Sequence, residues 1–271
     1  MSRCAVLGKP VAHSLSPALH NAGYAAAGLT GWSYTAHEVD EAGLAGFVAG
    51  LGPEWAGLSL TMPLKQVALE VADEVSDTAR LLGAANTMLL RDGRRYADNT
   101  DAPGLTDALG AAGVKRAGQV AILGAGGTAR AALYAAAALG ATTVRVYARR
   151  DTQLAELTPV ADAIGVRLSG ARFDDPRPAG DADVVISTLP AGAADAFAAE
   201  VAWRPEATVF DVLYADWPTP LAALAGKHGC RLLSGLDLLL AQAVRQFELF
   251  TGGHAPAAAM RAALHAAVPG A

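Results

Sequence analysis

One stretch limits the architecture of this chain more than any other. Val120-Ala121-Ile122-Leu123 is a short apolar run of strand character, and it passes directly into Gly124-Ala125-Gly126-Gly127-Thr128-Ala129. This is the pattern G-x-G-x-x-G/A at a strand–turn–helix transition, with Ala129 in the last place. Gly124 permits the tight turn, Gly126 lets the backbone approach a pyrophosphate, and Ala129 allows the helix to pack closely on the sheet. Backbone amides of the first helical turn then face the phosphates. An ordinary glycine-rich turn is the plainer reading. The position inside a strand–turn–helix–strand unit favours a dinucleotide site over it.

The end of the next strand bears on which dinucleotide. An Asp or Glu there, about 20 residues on, binds the ribose 2′-hydroxyl of NAD. Here the strand ends Tyr147-Ala148-Arg149-Arg150. A carboxylate repels a 2′-phosphate, whereas two guanidinium groups bind it through charge-assisted hydrogen bonds. NADP is therefore favoured, although Asp151 follows at once and a solvated surface Arg pair is the bland alternative.

Around this unit, short apolar runs alternate with helical stretches. Strands are expected at 4–7, 32–39, 56–60, 120–123, 143–147, 184–187 and 208–212, with a hairpin of 87–90 and 94–97 across Asp92-Gly93. Helices are expected at 17–28, capped by Ser16, at 41–49, from near Pro63, at 78–82, 101–112, 127–139, 152–164 with a break or kink at Pro159, 220–226, 236–250 and 256–267. This alternation implies an α/β fold with mainly parallel sheets. A length of 271 residues suits two domains, and 52% hydrophobic content supplies their cores.

Charge narrows the function classes. The net charge of −5 argues against nucleic acid as a partner, which needs a basic surface. No run of 18 apolar residues suggests a membrane span, and the early Arg3 followed by a strand-like run is not a secretory signal. Cys4 and Cys230 form neither a disulfide framework nor a metal spacing, so no metal is expected. A cytoplasmic location is the default.

Polar residues cluster at strand ends and helix starts. Ser14 and Ser16 put two hydroxyls before a helix, a place suited to a carboxylate, although capping explains one of them. Lys65, in the apolar stretch Thr61-Met62-Pro63-Leu64-Lys65, acts as an acid or base where desolvation lowers its pKa; a solvated lysine is the commoner case. Asn86-Thr87 and Asp98-Asn99-Thr100-Asp101 add polar groups that singly are caps or turns.

Taken in order, these residues resemble the shikimate dehydrogenase family over nearly the whole chain. The opening pattern Gly-x-Pro-x-x-His-Ser-x-Ser-Pro is met by residues 8–17, and Asn-x-Thr-x-Pro-x-Lys is approached by 59–65. Gly-Ala-x-Asn-Thr falls at 83–87 and Asn-Thr-Asp at 99–101. The glycine turn follows, then Asp211-Val212-Leu213-Tyr214 before Pro218-Thr219-Pro220-Leu221, and Gly235-Leu236 before Gln242-Ala243. The resemblance implies reversible NADPH-dependent reduction of 3-dehydroshikimate to shikimate, a step toward aromatic amino acids.

It also implies roles. Ser14 and Ser16 would bind the substrate carboxylate, and Thr61, Asn86, Asp101, Tyr214 and Gln242 would line the substrate pocket. Lys65 would be the proton-transfer residue, paired with Asp101. Gly124, Ala125, Gly126, Gly127, Thr128, Ala148, Arg149 and Arg150 would bind NADP, with Asp77, Leu213 and Gly235 bordering it. The implied organisation is an N-terminal α/β substrate domain, residues 1–101 plus 237–271, and a Rossmann-type NADP domain, 102–236, separated by an active-site cleft. The partner is then a small molecule, and the protein a monomer or homodimer.

Some positions depart from the family pattern. Ser59 stands where Asn is usual, Ala148 where Asn often precedes the Arg, and Arg150 where Thr is frequent. Asp237 lies in a usually apolar segment, and nothing in the sequence accounts for it. Quinate and aminoshikimate dehydrogenases share the resemblance, and the two serines favour shikimate. A non-catalytic sensor of the same metabolite would keep the pocket but lose the pair Lys65 and Asp101, which are both present.

Replacing Arg149 and Arg150 together with Ala is expected to raise KM for NADP strongly and to change KM for NAD little. Equal use of NADP and NAD by the unmodified protein in initial-rate assays would contradict the assignment of the pair.

Overall fold

The computed structural model describes residues 1–268. Its contacts divide the chain into two compact units, Met1–Asp101 together with the chain from Leu239 on, and Ala102–Leu238.

The first unit opens with β1 (Ser2–Gly8), α1 (Ser16–Ala26), β2 (Trp32–Glu38), α2 (Glu41–Ala49) and β3 (Trp55–Leu60). It continues through α3 (Ala68–Val71), β4 (Glu74–Val75), α4 (Asp77–Leu82), β5 (Thr87–Arg91) and β6 (Arg94–Asp98). The strands form one sheet in the order β2-β1-β3-β5-β6-β4. β1 is parallel to β2 and β3, whereas β5 runs antiparallel to both β3 and β6. Cys4, Ala5, Val6 and Leu7 are all buried, as an inner strand covered on both faces requires. At the β5–β6 turn Asp92 and Gly93 take φ of 53° and 73°, the left-handed pair of a two-residue hairpin turn.

Next α5 (Asp101–Ala111) leads into β7 (Gln119–Leu123), α6 (Gly127–Ala138), β8 (Thr143–Tyr147), α7 (Asp151–Ala163) and β9 (Arg167–Ala171). β10 (Val184–Ser187), α8 (Asp195–Glu200), β11 (Thr208–Asp211), α9 (Pro220–Lys227) and β12 (Arg231–Leu233) complete the second unit. All six strands are parallel, in the order β12-β11-β10-β7-β8-β9. Numbered within the unit this is 3-2-1-4-5-6 from β9, the doubly wound order of dinucleotide-binding sheets.

The chain ends with α10 (Gly235–Thr251) and α11 (Ala257–Ala267). Two glycines let α10 lie close to the first unit's own elements. A Cβ on Gly57 of β3 would collide with the Phe250 ring, and one on Gly23 of α1 would come within 3.0 Å of Phe247. Among the described residues no helix is long and apolar enough to cross a membrane.

Several local expectations are corrected. α7 runs unbroken through Pro159, because Pro159 and Ala155 are both exposed and water can take up the Ala155 carbonyl left without its helical partner. Pro63 opens no helix: residues 62–67 form turns and α3 begins at Ala68. Ser16 does not cap α1 but is its first residue. Leu15 occupies the cap position, and Ser14 Oγ accepts from the Ser16 amide at 3.3 Å.

Asp237 acquires a role at the start of α10. Its Oδ2 accepts from the Ser234 amide at 2.9 Å, while Ser234 Oγ accepts from the Leu236 amide at 3.2 Å. Asp237 and Ser234 thus satisfy two backbone amides at the start of α10, a variant of the capping box. Asp237→Ala is expected to lower unfolding free energy by ~1 kcal/mol in denaturant titration; an unchanged midpoint would contradict the capping role.

Candidate active site

The first unit gathers its polar groups where three chain segments leave the sheet. β1 ends at Gly8, and the Lys9 amide donates to the Met62 carbonyl at 3.0 Å, while the Thr61 amide donates to the Leu7 carbonyl at 2.9 Å. A Cβ on Gly8 would strike the Thr61 methyl and lie 2.9 Å from the Met62 carbonyl oxygen, so only glycine lets these two segments meet. The Lys65 carbonyl accepts from the Ala85 amide at 2.7 Å, which ties the turn carrying Lys65 to the segment carrying Asn86.

Lys65 Nζ lies 2.6 Å from Asp101 Oδ2, with the lysine side chain 35% exposed and the aspartate 18%. The other carboxylate oxygen, Oδ1, accepts from Asn86 Nδ2 at 2.9 Å. The Asn86 side-chain oxygen in turn accepts from the Thr100 amide at 2.7 Å and from Thr87 Oγ1 at 2.9 Å. Gln242, on α10, is buried; its Nε2 donates to the Leu239 carbonyl at 2.8 Å, and its Oε1 is 3.5 Å from Asn86 Nδ2. Four expected site residues, Lys65, Asn86, Asp101 and Gln242, therefore share one hydrogen-bonded group.

Other expected site residues of the first unit lie outside this hydrogen-bonded group. Ser16 is buried at the start of α1, Ser14 is half-buried beside it, and Thr61 is half-buried at the end of β3. Asp77 is an exposed residue in the first turn of α4.

In the second unit the glycine turn has the form a dinucleotide requires. Gly124 takes φ of 101°, and a Cβ there would come 2.6 Å from Thr188 Oγ1. Gly126 occupies the cap position of α6 with no side-chain cap, and beyond Gly126 and Gly127 a Cβ would meet nothing within 4 Å. Open space thus faces uncapped amides, while Ala125 and Thr128 flank it half-buried and Ala129 is fully buried against the sheet. At the end of β8, Ala148 is half-buried, and Arg149 and Arg150 are exposed; among the described residues no side chain pairs with either guanidinium. Turn and arginines together fit NADP: the open α6 start would hold the phosphates and the two guanidinium groups a 2′-phosphate. Among the described residues no cluster of His, Cys, Asp or Glu is placed to hold a metal.

Leu213 and Tyr214 lie on a loop tied at both ends by Asp211. Its Oδ1 accepts from the Leu213 amide at 3.2 Å and its Oδ2 from Thr219 Oγ1 at 2.8 Å. Burial pushes the Asp211 carboxyl up from its ordinary range, and these hydrogen bonds oppose the shift. The Gly235 amide donates to the Leu213 carbonyl at 3.0 Å, and a Cβ on Gly235 would run into the Val212 carbonyl. Asp211 and Thr219 escaped sequence reasoning as supports; the signal was a carboxylate at a strand end just before two expected site residues.

Known proteins resemble this chain over most of its length. A family model described as the shikimate dehydrogenase substrate binding domain matches residues 6–88, and one described as the shikimate 5'-dehydrogenase C-terminal domain matches 235–265. The NADP(+) shikimate dehydrogenase of Moorella thermoacetica is 36% identical over 97% of this chain and 92% of its own length. The chain belongs to the shikimate dehydrogenase family. Among solved members of that family, the Mycobacterium tuberculosis enzyme is 43% identical with a TM-score of 0.90, over 98% of this chain and 100% of its own. The Thermus thermophilus enzyme, solved in complex with NADP(H) and shikimate, is 32% identical with a TM-score of 0.86, over 99% and 100% of the two chains.

Proposed function

We propose that this chain catalyses the reversible, NADP-dependent interconversion of 3-dehydroshikimate and shikimate. The observation that carries the reading is the Lys65–Asp101 pair at 2.6 Å, with the second carboxylate oxygen taken by Asn86. Family membership supplies the reaction class, and the pair supplies the acid–base chemistry such a reaction needs.

NADPH, when bound, supplies the hydride that reduces the ring ketone. As negative charge develops on the carbonyl oxygen, the Lys65 ammonium stabilises it and gives it a proton; in the reverse direction the neutral amine takes the proton from the hydroxyl. Asp101 keeps Lys65 in place by charge and hydrogen bond, and offers a carboxylate to an adjacent substrate hydroxyl. Ser14 and Ser16 bind the substrate carboxylate. Thr61, Asn86, Tyr214 and Gln242 bind the ring and its hydroxyls.

Gly124, Ala125, Gly126, Gly127 and Thr128 hold the pyrophosphate, and Arg149 and Arg150, with the Ala148 backbone, hold the 2′-phosphate. Asp77, Leu213 and Gly235 border the nicotinamide nucleotide. On this reading the unit built on β1–β6 is the substrate domain and the unit built on β7–β12 the NADP domain. The enzyme works in the cytoplasm.

Steady-state kinetics on Lys65→Ala, Asp101→Asn and the double variant test the pair. Lys65→Ala is expected to lower kcat by a factor of roughly 100 or more, a loss of ~3 kcal/mol in transition-state stabilisation, while shikimate binding survives. If the two side chains act as a unit, the double variant is little worse than Lys65→Ala alone. Near-normal turnover in Lys65→Ala, or fully additive losses, would contradict the pairing.

A further inference from the structure

Behind the Lys65–Asp101 pair runs a buried polar chain whose first members have no role in the reaction as described. Tyr34 of β2 donates from its hydroxyl to Ser59 Oγ at 2.5 Å, and Ser59 donates to Gln246 Oε1 at 2.7 Å. Gln246 Nε2 donates to the Asn86 carbonyl at 3.1 Å and to Thr87 Oγ1 at 2.9 Å. Thr87 then gives its one hydroxyl proton to Asn86 Oδ1, at 2.9 Å, and Asn86 Nδ2 donates to Asp101 Oδ1. Tyr34, Ser59, Asn86, Thr87 and Gln246 are each no more than 5% exposed. Water cannot replace a missing partner at such depth, so each unmade bond would leave a polar atom unsatisfied.

The direction of the chain is fixed at both ends. A main-chain carbonyl only accepts, so Gln246 must turn its NH2 group toward Asn86 and its oxygen toward Ser59. Having accepted from Gln246, the Thr87 hydroxyl points its proton at Asn86 Oδ1. The Asn86 amide is thereby oriented with its NH2 group toward the Asp101 carboxylate, and the Thr100 amide reinforces the same orientation. A flipped Asn86 would set oxygen against carboxylate. Tyr34 is itself held by the His20 ring, stacked at 4.2 Å and 2°. Burial pushes the His20 pKa down to about 3, so that ring is neutral at ordinary pH.

We propose that Gln246 is a positioning residue of the active site: acting through Thr87 and Asn86, it orients the Asn86 amide toward Asp101 and so fixes the carboxylate that holds Lys65. Ser59 and Tyr34 set the orientation of Gln246. The inference rests on the catalytic reading above.

The test is steady-state kinetics with shikimate and NADP on Gln246→Met, which keeps length and removes both polar atoms, with a thermal melt of each variant. kcat/KM for shikimate is expected to fall about tenfold, ~1.4 kcal/mol, while KM for NADP stays within about twofold. In an Asn86→Ala background the same substitution is expected to change kcat/KM little, because its effect passes through Asn86. Ser59→Ala, which removes the bond to the Gln246 oxygen together with the bond Ser59 accepts from Tyr34, is expected to give a smaller loss of the same kind, and it carries the test if Gln246→Met does not fold. Parental kcat/KM in Gln246→Met, or an undiminished loss in the Asn86→Ala background, would overturn the inference alone. A parent protein without shikimate-dependent NADP reduction would overturn the catalytic reading and the inference together.

Discussion

Asp101 is held from two sides, and much of the first unit's architecture serves that. One oxygen carries the Lys65 ammonium and the other the Asn86 amide. These three side chains come from three separate segments: the turn after β3, the residue before β5, and the first turn of α5. They meet only because the sheet order sets β3 beside β5 and β5 beside β6, so that successive strand ends deliver their loops to one place. The paired charges are partly shielded from water, which strengthens their interaction relative to a surface pair. On the proposed reading, this is the ammonium that meets the carbonyl oxygen in ketone reduction.

The second unit relies on a different device, the absence of side chains. Gly124 adopts a left-handed backbone against Thr188, and Gly126 and Gly127 leave the start of α6 open. Bare amides at a helix start attract anions through both hydrogen bonds and the helix dipole. Arg149 and Arg150 add full charges at the next strand end, where NAD-binding sheets place a carboxylate instead. On the proposed reading, selectivity for the phosphorylated cofactor rests on the sign of the charge at that one strand end.

Much of this was legible in sequence because it depends on local chemistry. Buried strands read as continuous apolar runs, the hairpin as Asp92-Gly93, and the phosphate turn as glycine spacing. β9 and β12, the outer strands of the second sheet, were not legible: Arg167–Ala171 is only partly buried and Arg231–Leu233 spans three residues, so neither carries a clear apolar pattern. The motifs pointed to Lys65, Asn86 and Asp101, and the structure places their side chains in contact. Gln246 was invisible because its partners are a backbone carbonyl and hydroxyls more than 150 residues away in sequence. The departure at Ser59 also has a physical context. A short hydroxyl there accepts from Tyr34 and donates to Gln246, so the position keeps a buried polar link although it is not the usual Asn. Asp237 is explained by a helix cap that only the backbone geometry exposes.

The central claim is that one acid–base pair and one dinucleotide turn together make an NADP-dependent shikimate dehydrogenase. Its most direct test is the initial rate of NADP reduction by the purified protein, followed spectrophotometrically with shikimate and, separately, with quinate. The account predicts rapid NADPH formation with shikimate and a much lower kcat/KM with quinate. No NADPH formation with shikimate, or a preference for quinate, would contradict it.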